Sequence, residues 1–121
     1  PDLLAKMRPY GSGMLPITGL AAATASLLSK NLVAERRAIN KRIRENVFEF
    51  LEAKNIKYIP SVSNKFLMEA GRPGFELTKA LAENKVFIGR TWPVYTTMVR
   101  VSIGTQEEMD KFKAALLKVM A

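Results

Sequence analysis

The sequence predicts an α/β fold of the α+β kind: a small, mostly antiparallel sheet with helices packed on one face and one long bracing helix. Residues 98–103 supply the β-branched and apolar side chains of a half-buried strand, and residues 109–119 repeat apolar side chains at helical spacing. Residues 32–54 form a helical pattern about 30 Å long at 1.5 Å per residue. The predicted order, α-α-β-β-α-β-β-α, places helices on a sheet that is too short to form a core alone.

The chain is expected to begin with a connector that leads into a helix. Residues 1–13 hold two prolines and two glycines, which favour irregular structure, and residues 14–121 are predicted to form the domain itself. The first helix is expected from about residue 16 to 29, because Pro16 suits the first turn of a helix.

The second helix is the predicted brace of the sheet. Its apolar stripe comprises Ile39, Ile43, Val47 and Phe50 or Leu51. Asn55 can adopt the left-handed conformation that ends a helix, and Ile56 can then fold back against the last turn.

The second half of the chain is predicted to alternate short strands with helices. In order, these elements are an extended segment at 57–59, a strand at 64–70, a turn at 71–74, a helix at 75–83, an extended piece at 87–88, a loop at 91–97, a strand at 98–103 and a final helix. Thr105 and Glu108 stand three apart in the pattern of a capping box, so the final helix is expected to begin directly after Gly104.

The composition excludes several kinds of site. The chain has no Cys and no His, so disulfides, thiolate or imidazole metal sites and Ser-His or Cys-His catalytic pairs are impossible. We predict no metal site. No apolar run approaches the roughly 20 residues of a membrane-spanning helix.

The formal net charge of +8 raises a rival function, a free-standing basic domain that binds nucleic acid or an acidic protein. The densest basic run is residues 35–45, but no aromatic residue interleaves with it and no nucleic-acid module is recognisable. A solvated outer face of the long helix is the favoured interpretation. The rival function predicts binding that falls steeply with salt.

Arg100 is the leading candidate for a binding residue. It lies within a predicted strand among apolar neighbours. A guanidinium cannot be deprotonated in proteins, so this side chain must reach either an anion or water. Its fork of donors matches both oxygens of a planar carboxylate. Strand alternation alone favours a surface arginine on the polar side of the sheet.

The run from residue 86 to 109 resembles a known family. VFIGRTWPV at 86–94 and MVRVSIGTQEEM at 98–109 resemble the C-terminal end of fold-type I, pyridoxal-phosphate-dependent aminotransferases, most closely the histidinol-phosphate aminotransferase-like branch. The stretch PDLLAKMRPY at 1–10 is similar to the connector between the large and small domains of these enzymes. The stretch PSVSNKFLM at 60–68 resembles their "PS-x-(A/S)N-x-F" strand entry.

The resemblance implies a parent enzyme that transfers an amino group between an amino acid and a 2-oxo acid, with pyridoxal phosphate as cofactor. Arg100 takes the place of the arginine that grips the substrate carboxylate. The Schiff-base lysine and most phosphate-binding residues of the family lie in a large domain that would precede Pro1, so this chain alone is expected to hold no catalytic residue and to be inactive. A cytoplasmic homodimer, with neither nucleic acid nor membrane as partner, is implied for the parent.

Three further candidates are weighed for substrate binding. Arg90 could contact the distal part of a substrate or face solvent, and the segment 91–97 departs from histidinol-phosphate-specific patterns, which leaves phosphate recognition open. Asn64 could orient a substrate or hold a turn through its own backbone. Trp92, with Tyr95, could line a pocket or cover the sheet edge.

Overall fold

A computed structural model describes residues 2–7, 9, 11 and 16–120, in two units that meet between Glu35 and Arg36. The first unit contains helices α1 (Asp2–Met7) and α2 (Ile17–Leu28) and the start of α3 (Leu32–Ala53). Helix α1 lies within the stretch predicted as a connector, and the rest of that stretch falls largely outside the described residues. Helix α2 begins after Pro16 as predicted, with the Leu20 N–H donating to the Pro16 carbonyl at 3.0 Å.

Whether a helix in the described part of the chain could span a membrane depends on its length and apolar content. None of the helices there is by itself long and apolar enough to cross a bilayer. Only α2 and α3 taken together, across the bend between them, reach the required length and composition.

Helix α3 braces the second unit with its C-terminal half. Ile43, Val47 and Leu51 are buried, as the predicted stripe requires, whereas Ile39 is 39% exposed, which corrects the prediction for that residue. Periodicity identifies the apolar face of a helix, but it does not say how far the neighbouring layer extends. The basic run 35–45 is otherwise mainly exposed, as expected of a solvated helix face.

The sheet has three antiparallel strands in the order β1 (Tyr58–Ile59), β2 (Lys65–Glu69) and β3 (Met98–Ser102), which confirms the predicted small antiparallel sheet. Residues 87–88 do not form the additional strand that was predicted. Instead, Gly89 and Arg90 both oppose Arg100: the Gly89 N–H donates to the Arg100 carbonyl at 3.0 Å, and the Arg100 N–H donates to the Arg90 carbonyl at 3.3 Å. The bridge between Gly89 and Arg100 is isolated, so this segment does not extend the sheet as a further strand.

The core lies on one face of this sheet. Helices α3, α4 (Gly74–Glu83) and α5 (Gln106–Met120) contribute to it together with alternate residues of β2 and β3. The fully buried large side chains are Val47, Leu51, Met68, Leu77, Leu81, Val99, Val101, Phe112 and Leu116. Strand alternation therefore turns the intervening residues of β2 and β3 to the opposite face, called the open face here. Its residues are Lys65, Leu67, Glu69, Met98, Arg100 and Ser102.

The helix ends follow local rules. Asn55 adopts a φ of 55°, and the Ile56 N–H donates to the Leu51 carbonyl at 2.9 Å, which confirms the predicted end of α3. Lys85 ends α4 in the same way, with a φ of 61° and the Val86 N–H bonded to the Leu81 carbonyl at 3.0 Å. The sequence did not indicate this second motif, because lysine is an unusual residue in the left-handed region.

The capping box at the start of α5 is present. The Thr105 N–H donates to Glu108 Oε2 at 2.7 Å, and the Glu108 N–H donates to Thr105 Oγ1 at 3.3 Å. The hydrogen bond from the Thr105 backbone, followed by that from its side chain, lowers the pKa of Glu108.

We expect this lowered pKa to make folding stability depend on pH in acid. A carboxyl whose pKa is lower in the folded state stabilises the fold above its unfolded pKa of about 4.3, and this contribution is lost as pH falls through the folded pKa. Glu108→Gln should therefore flatten the dependence of the urea midpoint on pH below about 5. Glu83→Gln, which removes an exposed carboxylate at the end of α4, is the matched control. An unchanged slope in Glu108→Gln would contradict the prediction.

Candidate functional site

Arg100 lies at the centre of the open face. Its neighbours Val99 and Val101 point into the core, and its partner across the strand pair is Leu67. The alternation of a half-buried strand therefore presents the guanidinium on the open face, where the side chain is only partly buried.

The guanidinium of Arg100 rests against the backbone of Gly89. A Cβ atom built on Gly89 would lie 2.9 Å from Nη2 and 3.2 Å from Nε of Arg100. The Nε atom is buried and has no hydrogen-bond partner among the described residues. No carboxylate of the described residues forms an ion pair with Arg100, and Glu69, on the same face, is bonded to Thr97 and to the Gly71 N–H. A guanidinium that pairs with no carboxylate of the described residues is suited to binding an anion.

A shallow depression of about 310 Å³ lies beside Arg100. Its other lining residues are Ile59, Pro60, Ser61, Lys65, Phe66, Leu67 and Trp92. The wall is mostly apolar and contains no carboxylate, so it can accept a carboxylate on the guanidinium with an apolar group alongside. Small-molecule sites commonly combine apolar walls with a few fixed polar groups in this way.

Trp92 is the only one of the secondary candidates that the structure brings into this depression. It forms an isolated bridge with Tyr95, whose N–H donates to the Trp92 carbonyl at 3.1 Å. Tyr95 itself is 52% exposed and does not line the depression. Trp92 thus lines the depression and Tyr95 does not, although the sequence analysis predicted the same role for both.

Arg90 and Asn64 contact strand β3 through their backbone carbonyls only. Arg90 is exposed, and its carbonyl accepts the Arg100 N–H. Asn64 is exposed as well, and its carbonyl accepts the Ile103 N–H at 2.8 Å. Neither side chain lines the depression, so both roles in substrate binding stay predictions.

Arg44 binds the loop beside the depression, a contact that the sequence did not predict. From α3, its Nη1 atom donates to the carbonyls of Val62 at 2.9 Å and Ser63 at 3.3 Å. These bonds hold the loop between β1 and β2, which carries Ser61 at the rim of the depression. Within the basic run of α3, nothing distinguishes Arg44 from its solvated neighbours except its place directly after the buried Ile43.

A second cleft of about 440 Å³ lies between the segment 85–89, the end of β3 and helix α5. Its floor includes Val101, Met109 and Phe112, and the Glu108 carboxylate at its rim is engaged in the capping box.

The described residues contain no group of three or more Asp or Glu side chains that could hold a metal ion.

The comparisons with known proteins agree with this architecture. The family model for aminotransferase class I and II matches residues 2–116. A crystal structure of a protein assigned as a histidinol-phosphate aminotransferase from Erwinia carotovora atroseptica superimposes with a TM-score of 0.90 at 26% identity, over 99% of this chain and 35% of that one. The fold is therefore that of the fold-type I aminotransferases.

The chain belongs to the aminotransferase class I and II family. Its relatives include the histidinol-phosphate aminotransferase of Moorella thermoacetica, 27% identical over 99% of this chain and 31% of the relative. Histidinol-phosphate aminotransferase 2 of Pasteurella multocida is 31% identical over 98% of this chain and 32% of the relative. The chain thus spans about a third of the length of the curated relatives that it matches.

The described residues do not by themselves fit pyridoxal phosphate, the cofactor of this family. A lysine that forms a Schiff base needs a setting that lowers its pKa. No lysine in the described part of the chain is buried, and the least exposed, Lys113, pairs with Asp110 at 2.8 Å. The Glu107 carboxylate raises the pKa of Lys111, which is the opposite of activation.

Proposed function

We propose that this chain is the C-terminal small domain of a pyridoxal-phosphate-dependent aminotransferase. The parent enzyme would transfer an amino group between an amino acid and a 2-oxo acid, and Arg100 would bind the carboxylate of the substrate. The observation that carries the proposal is the Arg100 guanidinium, which lies on the open face against Gly89, is paired with no carboxylate of the described residues and stands beside an apolar depression. The match to the family over residues 2–116 supports the class of reaction.

The contribution of this domain would be to hold and orient the substrate. Two parallel N–H···O bonds from Arg100 would set both the position and the plane of the carboxylate, as a fork of donors does. Leu67 and Trp92 would pack against the rest of the substrate and keep water from the ion pair. Fixing the substrate in this way lowers the entropic part of the barrier. The cofactor, bound by a domain outside this chain, would supply the electron sink for the chemistry.

The identity of the substrate is a narrower proposal. The relatives named above act, by name, on histidinol phosphate. Histidinol phosphate has no carboxylate, so we propose that the carboxylate bound by Arg100 belongs to the amino acid or 2-oxo acid that exchanges the amino group. No phosphate contact is assigned to Arg90, because its side chain is exposed and does not line the depression.

Binding of a simple carboxylate to the chain itself tests the role of Arg100. In an NMR titration with propionate, the Arg100 Nε–H signal, assigned by its loss in Arg100→Lys, should shift and saturate. A single charge-assisted pair worth about 1.5–3 kcal/mol corresponds to a Kd of roughly 10–100 mM. The exposed Arg42 of α3 provides the internal control. An Arg100 shift no larger than that of Arg42 would remove the support for a carboxylate site.

A further inference from the structure

The backbone conformation of Gly89 suits other amino acids, but neighbouring atoms leave no room for a side chain. Among the described glycines, only Gly71 has a positive φ, at 67°, so the backbone conformation of Gly89 is open to any L-amino acid. The reason for glycine must therefore lie in the contacts of the missing side chain.

The nearest of those contacts belong to Arg100. The three heavy atoms nearest to a Cβ built on Gly89 are Nη2 at 2.9 Å, Nε at 3.2 Å and Cζ at 3.5 Å. The first is shorter than real Cβ atoms show, so either the Cβ or the guanidinium would have to move. The backbones of the two residues are joined by the Gly89 N–H bond to the Arg100 carbonyl, which leaves the flexible end of the arginine as the part that yields.

We infer that Gly89 is a positioning residue for Arg100. The absence of a side chain at Gly89 provides the space in which the guanidinium lies, with Nε shielded and the side chain lining the depression. A methyl group at this position lifts the guanidinium away from the backbone and misaligns its fork. The fold survives, since a flexible terminus can shift at low cost, but the carboxylate loses its paired donors. The inference rests on the proposed role of Arg100.

The propionate titration of the chain tests the inference with two matched glycine substitutions. Gly89→Ala should change the Arg100 Nε–H chemical shift in the free chain and raise the Kd for propionate about tenfold, as expected when one of two aligned bonds is lost. Gly19→Ala is the control, because a Cβ there meets only the Pro16 Cβ, at 3.9 Å. That variant should leave both quantities unchanged. An unaltered Kd in Gly89→Ala overturns the inference.

A double-mutant cycle on stability keeps the inference testable if Gly89→Ala weakens folding. Any lowering of the urea midpoint by Gly89→Ala should disappear when Arg100 is also replaced by alanine, because only guanidinium atoms lie closest to the added methyl group. A cost that persists in the Arg100→Ala chain contradicts the inference.

The two proposals fail in different ways. If wild-type Arg100 shows no response to propionate, the proposed function of Arg100 is wrong. If wild-type Arg100 responds and Gly89→Ala responds equally well, only the role of Gly89 is wrong.

Discussion

Replacing Arg100 by lysine in the complete enzyme is expected to lower kcat/KM by about 30- to 1000-fold, mainly through a higher KM. Lysine keeps the positive charge but presents a point charge in place of a planar fork, so it cannot bind both carboxylate oxygens in parallel. The loss of a partly buried, charge-assisted pair corresponds to about 2–4 kcal/mol of transition-state binding. The guanidinium also fills the space against Gly89, which the shorter lysine head cannot do.

Steady-state kinetics with the amino-acid substrate, at saturating cofactor, measure this effect. Arg42→Lys is the matched control, because Arg42 is exposed on α3 and lies outside the depression beside Arg100. Cofactor content and thermal unfolding should be equal in the two variants, so that any kinetic difference reports on substrate binding. If a well-folded Arg100→Lys enzyme has wild-type kinetics, Arg100 is a surface arginine and does not bind the substrate.

The chain by itself is expected neither to bind pyridoxal phosphate specifically nor to transaminate. None of its described lysines is buried, which leaves no lysine in a setting that would favour a Schiff base. A lysine whose surroundings do not lower its pKa stays protonated near pH 7 and forms a Schiff base poorly. The expected effect is the complete absence of turnover.

Incubation with pyridoxal phosphate followed by borohydride reduction and peptide mapping checks this expectation. We expect low labelling spread over several exposed lysines, the same in native and urea-unfolded chain. The complete enzyme, treated alongside, should label stoichiometrically on one lysine. Stoichiometric labelling of one lysine in the isolated chain, dependent on its fold, would contradict the proposed division of labour between the two parts of the enzyme.

The basic run of α3 bears on the rival interpretation as a nucleic-acid or acidic-protein binding domain. Arg36, Arg37, Lys41 and Arg42 are exposed, and Lys41 pairs with Glu45 at 3.7 Å within the same helix. Arg44 instead holds the loop beside the depression. The charges of this run thus divide between a solvated helix face and the loop beside the depression.

Elements with local causes could be predicted from the sequence alone. The start of α5 depends on Thr105 and Glu108, three residues apart, and the end of α3 depends on Asn55 and the residue that follows it. Strand alternation in 98–103 likewise places Arg100 on the face opposite Val99 and Val101. Each of these interactions is set within one or two turns or strand steps, so the pattern contains all the information that the structure uses.

Only the tertiary structure decided the features that join distant parts of the chain. An isolated bridge between Gly89 and Arg100 takes the place of the predicted strand at 87–88, and Gly89 thereby lies against a guanidinium eleven residues away. Ile39 belongs to the apolar stripe by periodicity, yet it is exposed, one turn before Ile43, the first buried residue of α3. Arg44 reaches the loop at 62–63 from another element altogether. The physical reason is common to all three: a side chain's burial and partners depend on what the fold packs against it, and sequence spacing describes only the element to which it belongs.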